Sequence, residues 1–113
     1  MVYAFTQDVP IDMVVYDRIQ AALMERLGGE PPQGLIAHLV IQLERGLRYV
    51  DVWSSEEDCE RFTEQHLHPV VWGALKASGF SSPPPEPPRE PLAVTGVWSA
   101  RTDFPMTVLS GTR

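Results

Sequence analysis

A chain of 113 residues, 43% hydrophobic and 21% charged, has room for one small domain with a single core. Its net charge of -6 offers no basic face to nucleic acid or to an anionic membrane surface. One cysteine, Cys59, excludes an internal disulfide and a cysteine zinc cage; no apolar run nears the roughly 20 residues of a membrane span and no signal-peptide pattern opens the chain, so a cytoplasmic protein is expected.

"VYAFTQ" (2–7) mixes β-branched and aromatic residues and predicts a short strand. In the "DVPID" that follows, Asp8 or Asp12 caps or charges a helix start, and Pro10 fits a first turn. "MVVYDRIQAALMERL" (13–27) carries Tyr16, Ile19, Leu23 and Leu27 at helical spacing, and Gly28 and Gly29 supply a left-handed stop. "GLIAHLVIQLE" (34–44) and "LRYVDVWS" (47–54) flank Arg45-Gly46 and predict a hairpin with a two-residue turn. In that register Glu44 faces Leu47. One sheet face then carries Leu43, Ile41 and Leu39 opposite Arg48, Val50 and Val52. The other carries Gln42, Val40 and His38 opposite Tyr49, Asp51 and Trp53. A slip of one residue would mix the aliphatic and polar-aromatic sets.

Ser54 or Ser55 caps the next helix, with Glu57 or Asp58 as the capping-box partner, and Cys59, Phe62 and His66 share one side of it. His68-Pro69 predicts a break, because the residue before a proline avoids helical backbone. "PVVWGALKAS" (69–78) is then a second helical piece ended by Gly79. "SSPPPEPPREP" (81–91) reads as a stiff polyproline strap, and "LAVTGVW" (92–98) as a last strand with a bulge at Gly96. Residues 99–113 show no period and read as a tail.

The order β-α-β-β-α-β predicts a single ferredoxin-like α+β sandwich over residues 1–98, with its helices on one sheet face. The polar-aromatic face, with Tyr49, Trp53, Val40 and His38, is expected to be the uncovered one: wet, lining a pocket, or stacked on a second copy.

The stretch "GLIAHLVIQLERGLRYVDVWSSEEDCERFTEQHLHPVV" combines an aromatic-ended strand, a Ser/Glu-rich helix start and a helix ending in His. It resembles the dimeric α+β barrel superfamily, in particular its antibiotic-biosynthesis-monooxygenase-like branch. The resemblance implies a homodimer whose two sheets form a barrel, with a pocket between sheet and helices in each subunit. It also implies oxidation of polycyclic or quinol-like substrates without metal or flavin. The spacing of Trp and His in haem-degrading members is not matched, so haem is not expected, and with no metal or flavin implied the expected cofactor is none.

The candidate chemistry lies mostly on the polar-aromatic face. Trp53 and His38 either form a ring wall with a proton acceptor over a flat substrate, or pack a dimer. Asp51 either orients a histidine or takes a substrate proton, or bonds to Arg45 or Arg48 across an interface. Tyr49, Gln42 and Val40 complete that wall. His66 and His68, two residues apart, project to different sides of a regular helix and do not share a metal. One of them either reaches the pocket or places a cation at the helix end. Tyr3 and Tyr16 are expected in the core or at the rim, and Cys59 as a small buried hydrophobe. The chain is therefore expected to be a small homodimer that binds or transforms a hydrophobic, aromatic or polyketide-like metabolite as a cofactor-independent monooxygenase or cyclase. The alternative is a non-catalytic binding or structural dimer.

Overall fold

The computed structural model describes residues 2–97, so Trp98 and the tail 99–113 lie outside the described residues. Strands β1 (Tyr3–Val9), β2 (Leu35–Gln42), β3 (Leu47–Trp53) and β4 (Glu90–Leu92) form one antiparallel sheet in the order β2-β3-β1-β4. Helices α1 (Met13–Arg26), α2 (Glu56–Phe62) and α3 (His68–Ala77) provide the second layer. This is the ferredoxin-like α+β sandwich. Among the described residues no helix is long and apolar enough to cross a membrane.

Local chemistry sets the element ends. Asp12 is the cap of α1, accepting the Val15 N–H at 3.0 Å, while Asp8 is engaged elsewhere, by Arg48 at 2.7 and 3.0 Å. The helix closes on two glycines with positive φ: Gly28 N–H reaches the Glu25 carbonyl and Gly29 N–H the Met24 carbonyl, at 3.2 and 2.9 Å. Ser55, not Ser54, caps α2 through the Asp58 N–H at 3.1 Å. α3 ends with the same two-bond closure as α1, Gly79 to Lys76 and Phe80 to Leu75, which folds Phe80 back onto the core.

Four expectations change. The hairpin turn has four residues, 43–46, so that Gln42 faces Leu47 and His38 faces Asp51. The register is two residues away from the expected one. A slip of two preserves both faces, which is why alternation alone could not detect it. Second, the polar-aromatic face is the one beneath the helices, where Tyr16 of α1 meets His38 and Phe62 of α2 meets Trp53. The open face is aliphatic: Leu39 and Ile41 are 47% and 42% exposed, and Leu92 is 42% exposed on the edge strand. Large rings fill the gap under two helices better than β-branched side chains do, and their polar tips find partners there.

Third, the helix does not break at Pro69. Both Leu67 and His68 keep right-handed helical backbone, and Thr63–Leu67 widens into a π turn that joins α2 to α3. The extra residue makes room for the proline ring. The Gln65 carbonyl, which Pro69 cannot serve with an N–H, accepts from Arg26 Nη2 at 3.0 Å. Fourth, β4 spans Glu90–Leu92 and not 92–98, and Gly96 follows it outside any strand. The strap is already extended, so it enters the ladder without changing its backbone, and Pro91 is tolerated because β4 is an edge.

The core has two parts. Val15, Ile19 and Leu23 of α1 pack on Leu75 of α3, while Phe5, Trp53 and Cys59 lie between the sheet and α2. Gly46 holds the hairpin at φ +83°, and a Cβ there would run into the Val9 carbonyl oxygen. Gly46→Ala is therefore expected to destabilise the fold by at least about 1–2 kcal/mol, the cost of left-handed backbone for an L side chain, measured by urea denaturation.

Candidate functional site

Period-two alternation on β3 sends Tyr49, Asp51 and Trp53 under the helices. On β2 an irregularity between Leu35 and Ala37 displaces Ile36, so that Leu35 and His38 both reach the same side. From above, α1 lowers Tyr16, Ile19 and Gln20, and α2 lowers Cys59 and Phe62. These side chains line an inner cavity of about 80 Å3, with Arg89 and Glu86 from the strap also on its wall.

One wall of this cavity is a chain of hydrogen bonds. Tyr16 Oη lies 2.8 Å from His38 Nε2, and His38 Nδ1 lies 2.6 Å from Asp51 Oδ1. Trp53 Nε1–H donates to Asp51 Oδ2 at 3.2 Å. An ionised carboxylate only accepts, so His38 carries a proton on Nδ1. In the neutral ring Nε2 then accepts the Tyr16 hydroxyl proton. Tyr16, Asp51 and Trp53 are 6%, 8% and 2% exposed. The carboxylate is thus held in a nearly dry site by two donors, as a buried charge requires. The Tyr49 ring sits 5.2 Å from His38 and 5.8 Å from Tyr16 and extends the aromatic wall.

Burial pushes the phenols of Tyr16 and Tyr49 well above their usual range, and the nearby Asp51 carboxylate adds to the effect in both. Tyr16 is therefore a hydrogen-bond donor at any ordinary pH. Burial likewise raises the Cys59 thiol, against an opposing pull from Arg89, and keeps it protonated. Arg89 lies 4.7 Å over the Phe5 ring and donates to Glu60 at 2.7 Å and to Thr63 Oγ1 at 3.1 Å. Among the described residues no group of three or more His, Cys, Asp or Glu side chains is placed to hold a metal.

Of the residues singled out in the sequence, His38, Asp51, Tyr49 and Trp53 meet at this cavity. His38 is paired with Asp51, and Trp53 with Leu35 two residues further along β3. Asp51 bonds within its own sheet face, not to Arg45 or Arg48. Gln42 is at the hairpin, donating to the Leu43 and Gly46 carbonyls at 2.9 and 3.2 Å. Val40 pairs with Tyr49 and is off the cavity wall. His66 accepts from Arg26 Nε at 3.0 Å and stands outside the cavity. His68 is exposed, 3.4 Å from Glu86 of the strap, and borders a second, outer chamber. The sequence reading placed Tyr16 in the core or at the rim and passed over Arg89. The one signal for Arg89 is that it is the lone cation in the proline-rich segment.

No family model matches the chain, and no curated protein matches its sequence. Among solved structures it is similar to SnoaB, a cofactor-independent oxygenase from Streptomyces nogalater, at 16% identity and a TM-score of 0.44 over 92% of this chain and 95% of that one. It is also similar to a protein from Bacillus cereus described as an antibiotic biosynthesis monooxygenase, at 19% identity and a TM-score of 0.39 over 89% and 94% of the two chains. Likeness at this level says nothing of chemistry, which has to come from the residues themselves.

The two buried phenols have a consequence for alkaline stability. Their pKa in the fold is raised above the unfolded value of 10.0. The stability linked to their protons is complete below that pH. It drains as pH rises past it, because the unfolded chain then ionises and the folded one does not. Tyrosinate absorbance from Tyr16 and Tyr49 is expected only as the chain unfolds. Tyr49→Phe should flatten the fall in stability above pH 10.0 by about 1.4 kcal/mol per pH unit, measured by urea denaturation across that range.

Proposed function

We propose that this chain binds a hydroxylated aromatic molecule in the inner cavity and removes a proton from it, as the first step of a cofactor-independent oxygenation. The observation that carries this reading is the Tyr16–His38–Asp51 chain opening onto a cavity walled mainly by rings and aliphatic side chains. The reacting end of the substrate would lie against Tyr49 and Trp53. Tyr16 passes its own proton to His38 Nε2 as it takes one from the substrate, and Asp51 stabilises the imidazolium that results. For a methylene flanked by aromatic rings, the carbanion left behind gives an electron to dioxygen. The radical pair joins as a peroxide anion, which takes the proton back from the His38 imidazolium through Tyr16 and then loses water to leave a carbonyl. The sum is CH2 plus O2 giving C=O plus H2O, with dioxygen as the oxidant. The protein's part is the proton acceptor and the dry setting.

Oxygen uptake with a panel of anthrones and naphthoquinols tests the reading. His38→Ala is expected to lower turnover by about 10²–10⁴-fold, the usual contribution of a positioned proton acceptor. Tyr16→Phe should lower it as well, with its fold intact by circular dichroism. Turnover unchanged by both substitutions would remove this chain of bonds from the chemistry.

The same proposal includes a homodimer, formed through the aliphatic face and not the aromatic one. Leu39 and Ile41 stand exposed on β2, and Leu92 at the opposite edge of the same sheet; a second copy stacked on this face would cover them. Sedimentation should give a dimer for the natural chain and a monomer for Leu39→Lys combined with Ile41→Lys. A natural chain that sediments as a monomer at micromolar concentration defeats this part.

A further inference from the structure

A second space, the outer chamber, lies beside the inner cavity and is partly open to solvent. It holds about 390 Å3 beneath the proline-rich strap, against about 80 Å3 in the inner cavity. Its floor is Val71, Trp72 and Leu75 of α3, with Phe80 at one side. Its roof is Pro83, Pro84, Pro85 and Pro87. The two spaces are adjacent: Gln7, Ile19, Tyr49, Leu67 and Glu86 border both.

The roof stays up for a physical reason. A run of prolines has no backbone N–H to bond downward and little freedom to collapse. It is tied at defined points only. Phe80 N–H is held by the Leu75 carbonyl at 3.0 Å. Gln7 Nε2 holds the Pro87 carbonyl at 2.8 Å, and Arg89 is anchored on Glu60 at 2.7 Å. Between these ties the strap bridges an apolar space that it does not fill. An unfilled apolar space of this size forgoes the dispersion contacts that core packing normally provides.

We infer that this chamber is a second binding subsite, which takes the apolar extension of the ligand whose hydroxylated ring meets Tyr16 and His38. The inference rests on the proposed reading of the inner cavity and adds the ligand's class to it. The inner space suits a single ring. A ligand with further rings or an alkyl chain leaves it past Tyr49 and lies between Trp72 and the strap. The polar side chains His68 and Glu86 stand at the chamber's lip, where the ligand's end meets water.

A series of 4-n-alkylphenols from ethyl to nonyl, followed by titration calorimetry, tests this on the full chain. Affinity is expected to rise roughly fourfold for each methylene until the chamber is full, then to level off. Val71→Phe should shorten the chain length at which it levels, and Trp72→Ala should lengthen it, with the affinity of phenol itself unchanged in both. Circular dichroism of the two variants reports on folding. Affinity that does not grow with chain length, or a levelling point that neither substitution moves, overturns the subsite. If phenol binds and chain length adds nothing, the subsite falls while the inner site stands. If chain length adds affinity equally in the natural chain and in Tyr16→Phe and His38→Ala, and phenol alone does not bind, the chamber stands and the reading of the inner site falls.

Discussion

A carboxylate beneath two helices is tenable only when its oxygens are occupied, and Asp51 meets that condition with one donor on each. Much of the molecule's geometry follows from those two bonds. Placing His38 opposite Asp51 sets the pairing of β2 on β3 and makes the hairpin turn four residues long. The indole bond fixes Trp53, which closes the sheet against Phe62 and Cys59. The imidazole, held at Nδ1, presents Nε2 to the helix above and so selects the turn of α1 from which Tyr16 descends. A buried polar network of this kind costs desolvation, but it specifies one arrangement where an all-aliphatic layer would tolerate several.

The order of elements was legible because each carries its own period and punctuation. The alternation of β3, the helical stripe through Tyr16, Ile19 and Leu23, and the glycine pair after α1 are all local signals. So were the two sheet faces, since a slip of two residues leaves them unchanged. Which face the helices cover was not legible. Alternation divides a strand into two sides without saying which is inside. Here the choice depends on partners distant in sequence, such as Tyr16 and His38, 22 residues apart. The same limit hid Arg89, whose partners Glu60 and Thr63 lie 29 and 26 residues away.

The candidate site was legible in part for the same reason. His38, Asp51, Tyr49 and Trp53 alternate on a single hairpin, so a strand reading gathers them. His66 and His68 belong to a helix whose phase depends on how Pro69 is accommodated, and neither reaches the inner cavity. The strap shows a different failure. Its composition announces stiffness, and stiffness is what it provides. What it spans is decided by Gln7 and Arg89, polar side chains that composition does not rank.

The widened turn before Pro69 acts as a phase shifter. One additional residue in a helix turns everything downstream by about 100° about the axis. In a strictly α-helical run the side chains of Val71, Trp72 and Leu75 would present a different flank to the strap, and the floor of the outer chamber would face elsewhere. The angular setting of that floor is thus written four to twelve residues upstream, in a stretch of which Leu67 alone borders the chamber. A single-residue deletion there would leave every wall residue in place in the sequence and misalign them all in space.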